Sequence, residues 1–330
     1  DKKAWIFDKK ILYKHILEEK LSDAYESYIL GKNGDLYVWM KENAISKSTY
    51  SIWAKYCLDC SYTDLTERNR DISLFVKDPY GLPYIPGSSL KGAIRTALLG
   101  YKLSKNSQMG QLQSDIRYNS RARNRNELSK KLSGFSRILE ETFHTLEREK
   151  VKKENAVCDE LSGMRISDSK PMSVKDLILC QKIDKNIDGK DRVLPIFREC
   201  LKPKIKIYFD MTIDESICNY RKEDILEAVK YFFYNTNKQY KKYGALSPDR
   251  KYVITIGGGA GYISKTVPYN MYSDKEAVQV VSNILETYTP KAHGHRGDSR
   301  KGVSPHTLKI TKYSGRTYQF GQCEIKITES

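Results

Sequence analysis

The chain predicts an α+β fold in two domains, and three observations carry that expectation. Its 330 residues suggest two domains at roughly 150 residues each, with material for a core in both. The second half reads strand, helix, strand, helix, strand between Ile205 and Thr328. That order suits a small antiparallel sheet backed by two helices, the ferredoxin-like arrangement. The first half centres on one amphipathic helix entered from an extended Pro-Gly turn.

Taken in order, Leu36–Met40 is an apolar run that reads as a strand, and Ile72–Val76 alternates as a half-buried strand does. Asp78, Pro79 and Gly81 stop it. A helix over Ser88–Leu99 buries Leu90, Ile94, Ala97 and Leu98, with Gly100 as its expected end. Lys102–Gln113 shows no element, and Glu127–Lys153 carries a helical apolar stripe from Leu128 to Leu146. Residues 101–160 therefore read as a helical, basic insertion in a first domain of residues 1–203. Met164–Ile166 and Asp176–Ile183 read as strands, and Ile205–Ile213 is the clearest alternation in the chain. Pro203 and Lys204 mark the expected junction to a second domain, 204–330. There, Glu223–Tyr243 and Lys275–Leu285 read as helices, and Tyr252–Ile256, Thr307–Tyr313 and Cys323–Thr328 as strands.

Charge narrows the function classes. Lys and Arg number 57 against 41 Asp and Glu, a net +16, with a pI near 9.3. That excess favours a polyanionic partner such as nucleic acid. No apolar run is long enough to span a bilayer, and Asp1–Trp5 is not a secretory signal, so no membrane partner is expected. Seven cysteines without framework spacing point to free thiols in a reducing cytoplasm.

Four constellations carry chemistry. Residues 84–96 pass from an extended turn into a helix whose first turns hold Ser88, Ser89, Lys91 and Arg95. A helix start offers free N–H groups to an anion, and residues 91 and 95 share a face. Gly257, Gly258, Gly259 and Gly261, followed by Lys265 and Thr266, form a loop whose amides could converge on a phosphate; the bland alternative is a bulged strand. It lacks the third glycine of a dinucleotide fingerprint and the Gly-Lys-Ser/Thr of a P-loop. Arg117, Arg121, Arg123 and Arg125 read either as a clamp on a nucleic-acid backbone, with Tyr118 for stacking, or as a solvated loop. Last, Cys57/Cys60 and the histidines 293, 295 and 306 invite a metal reading. No second cysteine pair or paired carboxylates accompany them, so incidental thiols and a mobile basic loop are expected, with no cofactor and no metal. Asp168 reads as a turn-capping carboxylate.

Together these stretches resemble a known family. Residues 84–95 look like the first-helix signature of the CRISPR-associated RAMP superfamily, and residues 257–261 like its glycine-rich loop. Residues 162–170 (Ser-Gly-Met-Arg-Ile-Ser-Asp-Ser-Lys), 198–203 (Arg-Glu-Cys-Leu-Lys-Pro), 257–266 and 304–309 (Ser-Pro-His-Thr-Leu-Lys) narrow the resemblance to the fifth-subunit family of type III-A Csm complexes. The resemblance implies two ferredoxin-like domains and a non-catalytic subunit that caps the crRNA 3′ end and supports crRNA maturation in antiviral defence. It implies neighbouring backbone and small subunits as partners, host nucleases in crRNA trimming, and no cofactor. RNA contacts are expected at Ser88, Ser89, Lys91, Arg95, Arg165, Lys170, Gly257–Gly261 and Lys265, with Arg117, Arg121, Arg123 and Arg125 as a clamp. A RAMP endoribonuclease and an assembly scaffold without RNA contact are the rival readings. The family's opening strand and its Pro-Val-His-Ile-Gly-like turn have no match here, so the first domain is expected to lack a strand.

Overall fold

The computed structural model describes residues 2–31, 34–64, 71–153, 155–244 and 250–329. In chain order the elements are β1 (Lys3–Phe7), α1 (Lys9–Glu18), α2 (Ser22–Leu30), α3 (Leu36–Glu42), α4 (Lys47–Ile52), β2 (Ala54–Asp59), β3 (Asp71–Ser73), α5 (Gly87–Lys105), α6 (Gly110–Asn119), α7 (Arg125–His144), β4 (Met164–Ile166), β5 (Leu177–Asn186), β6 (Arg192–Leu201), β7 (Met211–Ile213), α8 (Lys222–Lys241), β8 (Val253–Thr255), α9 (Pro268–Met271), α10 (Asp274–Tyr288), α11 (Asp298–Lys301), β9 (Thr307–Tyr313), β10 (Arg316–Gln319) and β11 (Gln322–Glu324). The fold is mixed α/β, and most strand pairs are antiparallel. The β2–β5 pair is parallel.

Two compact units emerge. The first takes Asp1–Pro83, Met172–Cys180 and Phe197–Ile205; the second takes Tyr84–Pro171, Gln181–Ile196 and Lys206–Ser330. Residues 84–171, with the 101–160 stretch, thus belong with the C-terminal part of the chain, and β5 and β6 each run through both units.

In the first unit, β1 pairs antiparallel with β2 from Lys3↔Asp59 onward. Leu58, Cys60, Leu177, Leu179 and Phe197 form a core from the end of β2 and from β5 and β6. A second cluster of Leu12, Ile16, Trp39, Met40 and Trp53 is built by α1–α4. Residues 36–40 are helical, not the strand expected. A short apolar run does not declare its period. The Asp35 carboxylate accepts the Tyr37 N–H at 2.8 Å and caps the helix start. The strand expected over 72–76 shrinks to its first residues, in β3. Beyond it the buried Glu199 carboxylate accepts the Phe75 N–H at 2.8 Å, so that amide bonds a side chain.

The second unit is built on α5. This helix runs through Gly100, which packs against Phe232 of α8 and Asn270 so closely that a Cβ would crowd both. The expected stop is therefore a helix–helix contact, and the element continues to Lys105. The next stretch, expected to be featureless, holds α6. Leu99, Leu103, Ile116, Leu139, Met271, Val280 and Ile284 join α5, α6, α7 and α10 in one cluster. Another, including Ile183, Tyr240, Val278, Val281, Leu308 and Ile310, packs α8 and α10 against β5 and β9. The alternation over 205–213 forms a ladder only at its end, where Met211–Ile213 pairs with Ile166–Met164. Upstream, the extended chain is tied by Lys170 N–H to Tyr208 O at 3.0 Å and Ser167 N–H to Asp210 O at 2.9 Å. Between those bonds, the Asp168 and Ser169 side chains accept the Gly87 and Ile85 N–H groups. No helix among the described residues is long and apolar enough to cross a membrane.

Candidate nucleic-acid interface

The start of α5 is pinned. Gly87 is buried, and a Cβ there would overlap the carbonyls of Ile166 and Ser167, so only glycine lets the helix begin against β4. The Gly87 N–H is capped by the Asp168 carboxylate at 2.8 Å. The protein thus supplies its own anion at a helix start expected to await phosphate, and Asp168 has the capping role its turn suggested. Ser88 and Ser89 remain exposed.

Position around α5 sorts the remaining residues. Ser89 lies four residues before Ala93 and eight before Ala97, on one face. Ala93 and Ala97 line a narrow crevice with Val229, Phe233, Thr255 and Ser264. Thr255 and Ser264 bracket the glycine loop, so the Ser89 face of the helix and that loop are neighbours. Lys91 and Arg95 sit about 200° and 160° around the helix from Ala93, counting at 3.6 residues per turn. They therefore lie on the side of α5 opposite Ala93. Lys91 is half-buried. Arg95 donates Nε to Glu140 at 2.8 Å and Nη1 to Asp159 at 2.7 and 2.9 Å, and its Nη2 also meets Glu140. Burial would lower the guanidinium pKa, but the two carboxylates outweigh it and raise it. Arg95 is a structural cation here, not a free one.

The glycine loop leaves β8 with left-handed backbone at Gly257 (φ 87°) and Gly259 (φ 86°). Gly257 and Gly258 are exposed, and Gly259 and Gly261 half-buried. Its base is fixed by Ile256 N–H to Gly321 O at 2.8 Å. Ser264 Oγ donates to Gly261 O at 2.8 Å. The exposed Lys265 ammonium bends back to Gly257 O at 2.6 Å. A cation thus stands over a turn with outward-facing backbone, an arrangement able to share an anionic oxygen.

Arg165 on β4 and Lys170 just past it are exposed. Beside them, through the Tyr208–Lys170 backbone bond, lie exposed Lys206 and Tyr208, the latter 58 % accessible. These two were not anticipated as site residues. The Lys-Ile-Lys-Ile-Tyr alternation held the signal, because one face of such a strand is solvent-facing.

The arginine run divides. Arg117 pairs with Glu276 at 2.7 Å, and Arg125 lies over the Tyr288 ring at 5.6 Å. Arg121 and Arg123 are exposed in the turn between α6 and α7. That turn is tied to α10 by Thr287 Oγ1 to Ala122 O at 2.8 Å. It therefore belongs to the cluster around the C-terminal half of α5, on the order of 20 Å along the helix from Ser89 at 1.5 Å per residue. The arginine run is a helical corner, and two of its four cations have partners within the unit.

A half-buried and a buried acid close the survey. Glu160 accepts from Tyr220 Oη at 2.6 Å and Lys102 Nζ at 2.8 Å, and lies 2.7 Å from His144 Nδ1. Burial would raise its pKa, but these bonds outweigh it and bring it to about 2. The histidine loop is not the mobile segment expected. Only His293 is exposed, while His295 and His306 both bond the fully buried Asp298. Cys57 is half-buried on β2 and Cys60 buried just after it.

Comparison with known proteins fixes the family. The model of the RAMP superfamily matches residues 26–264. The protein named CRISPR system Cms protein Csm5 in Mycobacterium tuberculosis strain H37Rv is 32 % identical over 272 residues, covering 78 % of this chain and 67 % of that one. This chain belongs to the Csm5 family of the RAMP superfamily. The Streptococcus thermophilus protein of the same name is 28 % identical, covering 81 % of this chain and 72 % of that one. Among solved structures, a chain of a Csm-crRNA-target RNA ternary complex from a type III-A CRISPR-Cas system superposes with a TM-score of 0.62 at 19 % identity, covering 96 % of this chain and 90 % of that chain. The crystal structure of T. onnurineus Csm5 gives 0.58 at 21 % identity, covering 82 % of this chain and 86 % of that one.

Proposed function

We propose that this chain is a non-catalytic RNA-binding subunit of a cytoplasmic type III-A CRISPR complex, holding the 3′ end of the crRNA beside backbone and small subunits. One observation carries the reading: Ser88, Ser89, Arg165, Lys170, Lys206, Tyr208, and Gly257, Gly258 and Lys265 of the glycine loop are exposed on adjoining segments of one unit. Cations and backbone amides there would take phosphates, and Tyr208 would stack on an unpaired base. The Csm5 relatives and the ternary-complex neighbour support the assembly. The non-catalytic reading is supported by His144 and His295, which are buried and bonded to carboxylates and so are poorly placed to serve as general acid or base at a scissile phosphate.

Photocrosslinking of a reconstituted complex carrying 3′-labelled crRNA tests this. Crosslinked peptides spanning residues 165–170, 206–210 or 257–265 are expected. Protein crosslinks alone from those peptides would make the face a scaffold surface and refute the proposal.

A further inference from the structure

The segment between α10 and β9 holds a cluster of potential metal-ligand side chains. His295, Asp298 and His306 each offer one ligand atom, all within 4.8 Å of one another. Asp298 Oδ2 lies 2.9 Å from His295 Nδ1, and its Oδ1 lies 2.7 Å from His306 Nδ1. Ser304 Oγ donates to the same carboxylate at 2.7 Å. The Asp298 side chain is 0 % exposed, that of His295 5 % and that of His306 14 %.

Such a carboxylate requires a counter-charge. Among the described residues neither lysine nor arginine pairs with Asp298; its partners are the two imidazoles and a hydroxyl. The backbone around it is held. Ser282 Oγ donates to His295 O at 2.8 Å, Tyr269 Oη to Ser304 O at 2.5 Å, and Tyr243 Oη to Pro305 O. The ligand-bearing segment is therefore anchored from α8, α9 and α10.

From this geometry we propose that His295, Asp298 and His306 bind one first-row divalent transition metal ion, Zn2+ being the best fit. Two imidazoles and one carboxylate are a donor set suited to zinc, cobalt or nickel and ill-suited to magnesium or calcium, which prefer all-oxygen shells. Donors at about 2.0–2.2 Å from a tetrahedral ion lie about 3.3 Å apart. The two Asp298–imidazole separations, 2.9 Å and 2.7 Å to different carboxylate oxygens, have to open by about 0.5 Å, and the widest pair, within 4.8 Å, has to close by at most roughly 1.5 Å. The ion takes the place of the shared protons, with a water or the Ser304 hydroxyl completing the shell. Its role is structural: it ties the loop to the edge of β9.

Titration of the purified full-length chain with Co2+, then Zn2+, decides the matter. Expected are the intense visible absorption of tetrahedral Co2+ saturating at one ion per chain, its loss on adding Zn2+, and a higher melting temperature with Zn2+. His306→Asn abolishes both the absorption and the melting shift, whereas His293→Asn, on the exposed neighbour, keeps them. A wild-type chain with no cobalt spectrum and an unmoved melting temperature overturns the proposal, even if His306→Asn fails to fold. Loss in His293→Asn with retention in His306→Asn does so too.

Discussion

Two cationic regions of the second unit look alike in sequence and differ in the fold. Around the Lys91–Arg95 face of α5, Arg95 is met by Glu140 and Asp159, and Lys102 by Glu160. Along the neighbouring edge, Arg165, Lys170, Lys206 and Lys265 face solvent. A net charge of +16 therefore does not say which cations are available. Availability is decided by acids brought in from far along the chain. An ion pair shielded from water resists salt and holds structure, while an exposed cation is screened and gives its attraction to a partner.

Breaking the packed side of the comparison has the largest effect. Gly87→Val puts side-chain atoms into the Ile166 and Ser167 carbonyls and is expected to cost more than about 3 kcal/mol, read as a fall in urea midpoint or as loss of soluble protein. Arg95→Ala strands two carboxylates. The expected loss is about 1–3 kcal/mol, because the site is partly solvated. Its RNA-binding salt slope should stay that of the wild type; a flatter slope would return Arg95 to the exposed group.

Acid titration sharpens the same contrast. Glu160 has a folded pKa near 2, below its unfolded value. Its stabilisation is thus full above about pH 4.5 and lost as pH falls toward 2. Glu160→Gln should lower stability at neutral pH and flatten that acid limb; equal limbs in both proteins would show the bonds to Lys102, His144 and Tyr220 to be energetically silent. The smallest effect is expected from Arg121→Ala with Arg123→Ala, in a corner about a helix length from the proposed RNA path. Stability should move by less than about 0.5 kcal/mol and the melting curve should overlay the wild type.

Periodicity made much of the fold legible. α5, α8, α10 and β9 follow from apolar spacing because each buries one continuous face. α3 was misread because its short apolar run fits two periods and Asp35 makes the choice. Of the candidate site, the glycine loop and the hydroxyls of α5 were legible as local chemistry. The fate of Arg95 was not, since its partners lie 45 and 64 residues away. Nor was the burial of His295, which depends on hydroxyls from α9 and α10 gripping its loop.

The most direct measurement is the salt dependence of single-stranded RNA binding by the wild type and by Arg165→Ala/Lys170→Ala/Lys206→Ala, at matched folded stability. Each phosphate contact contributes about −0.7 to the log–log slope, so the triple variant should be shallower by roughly 2. An unchanged slope would contradict the assignment of this edge to RNA.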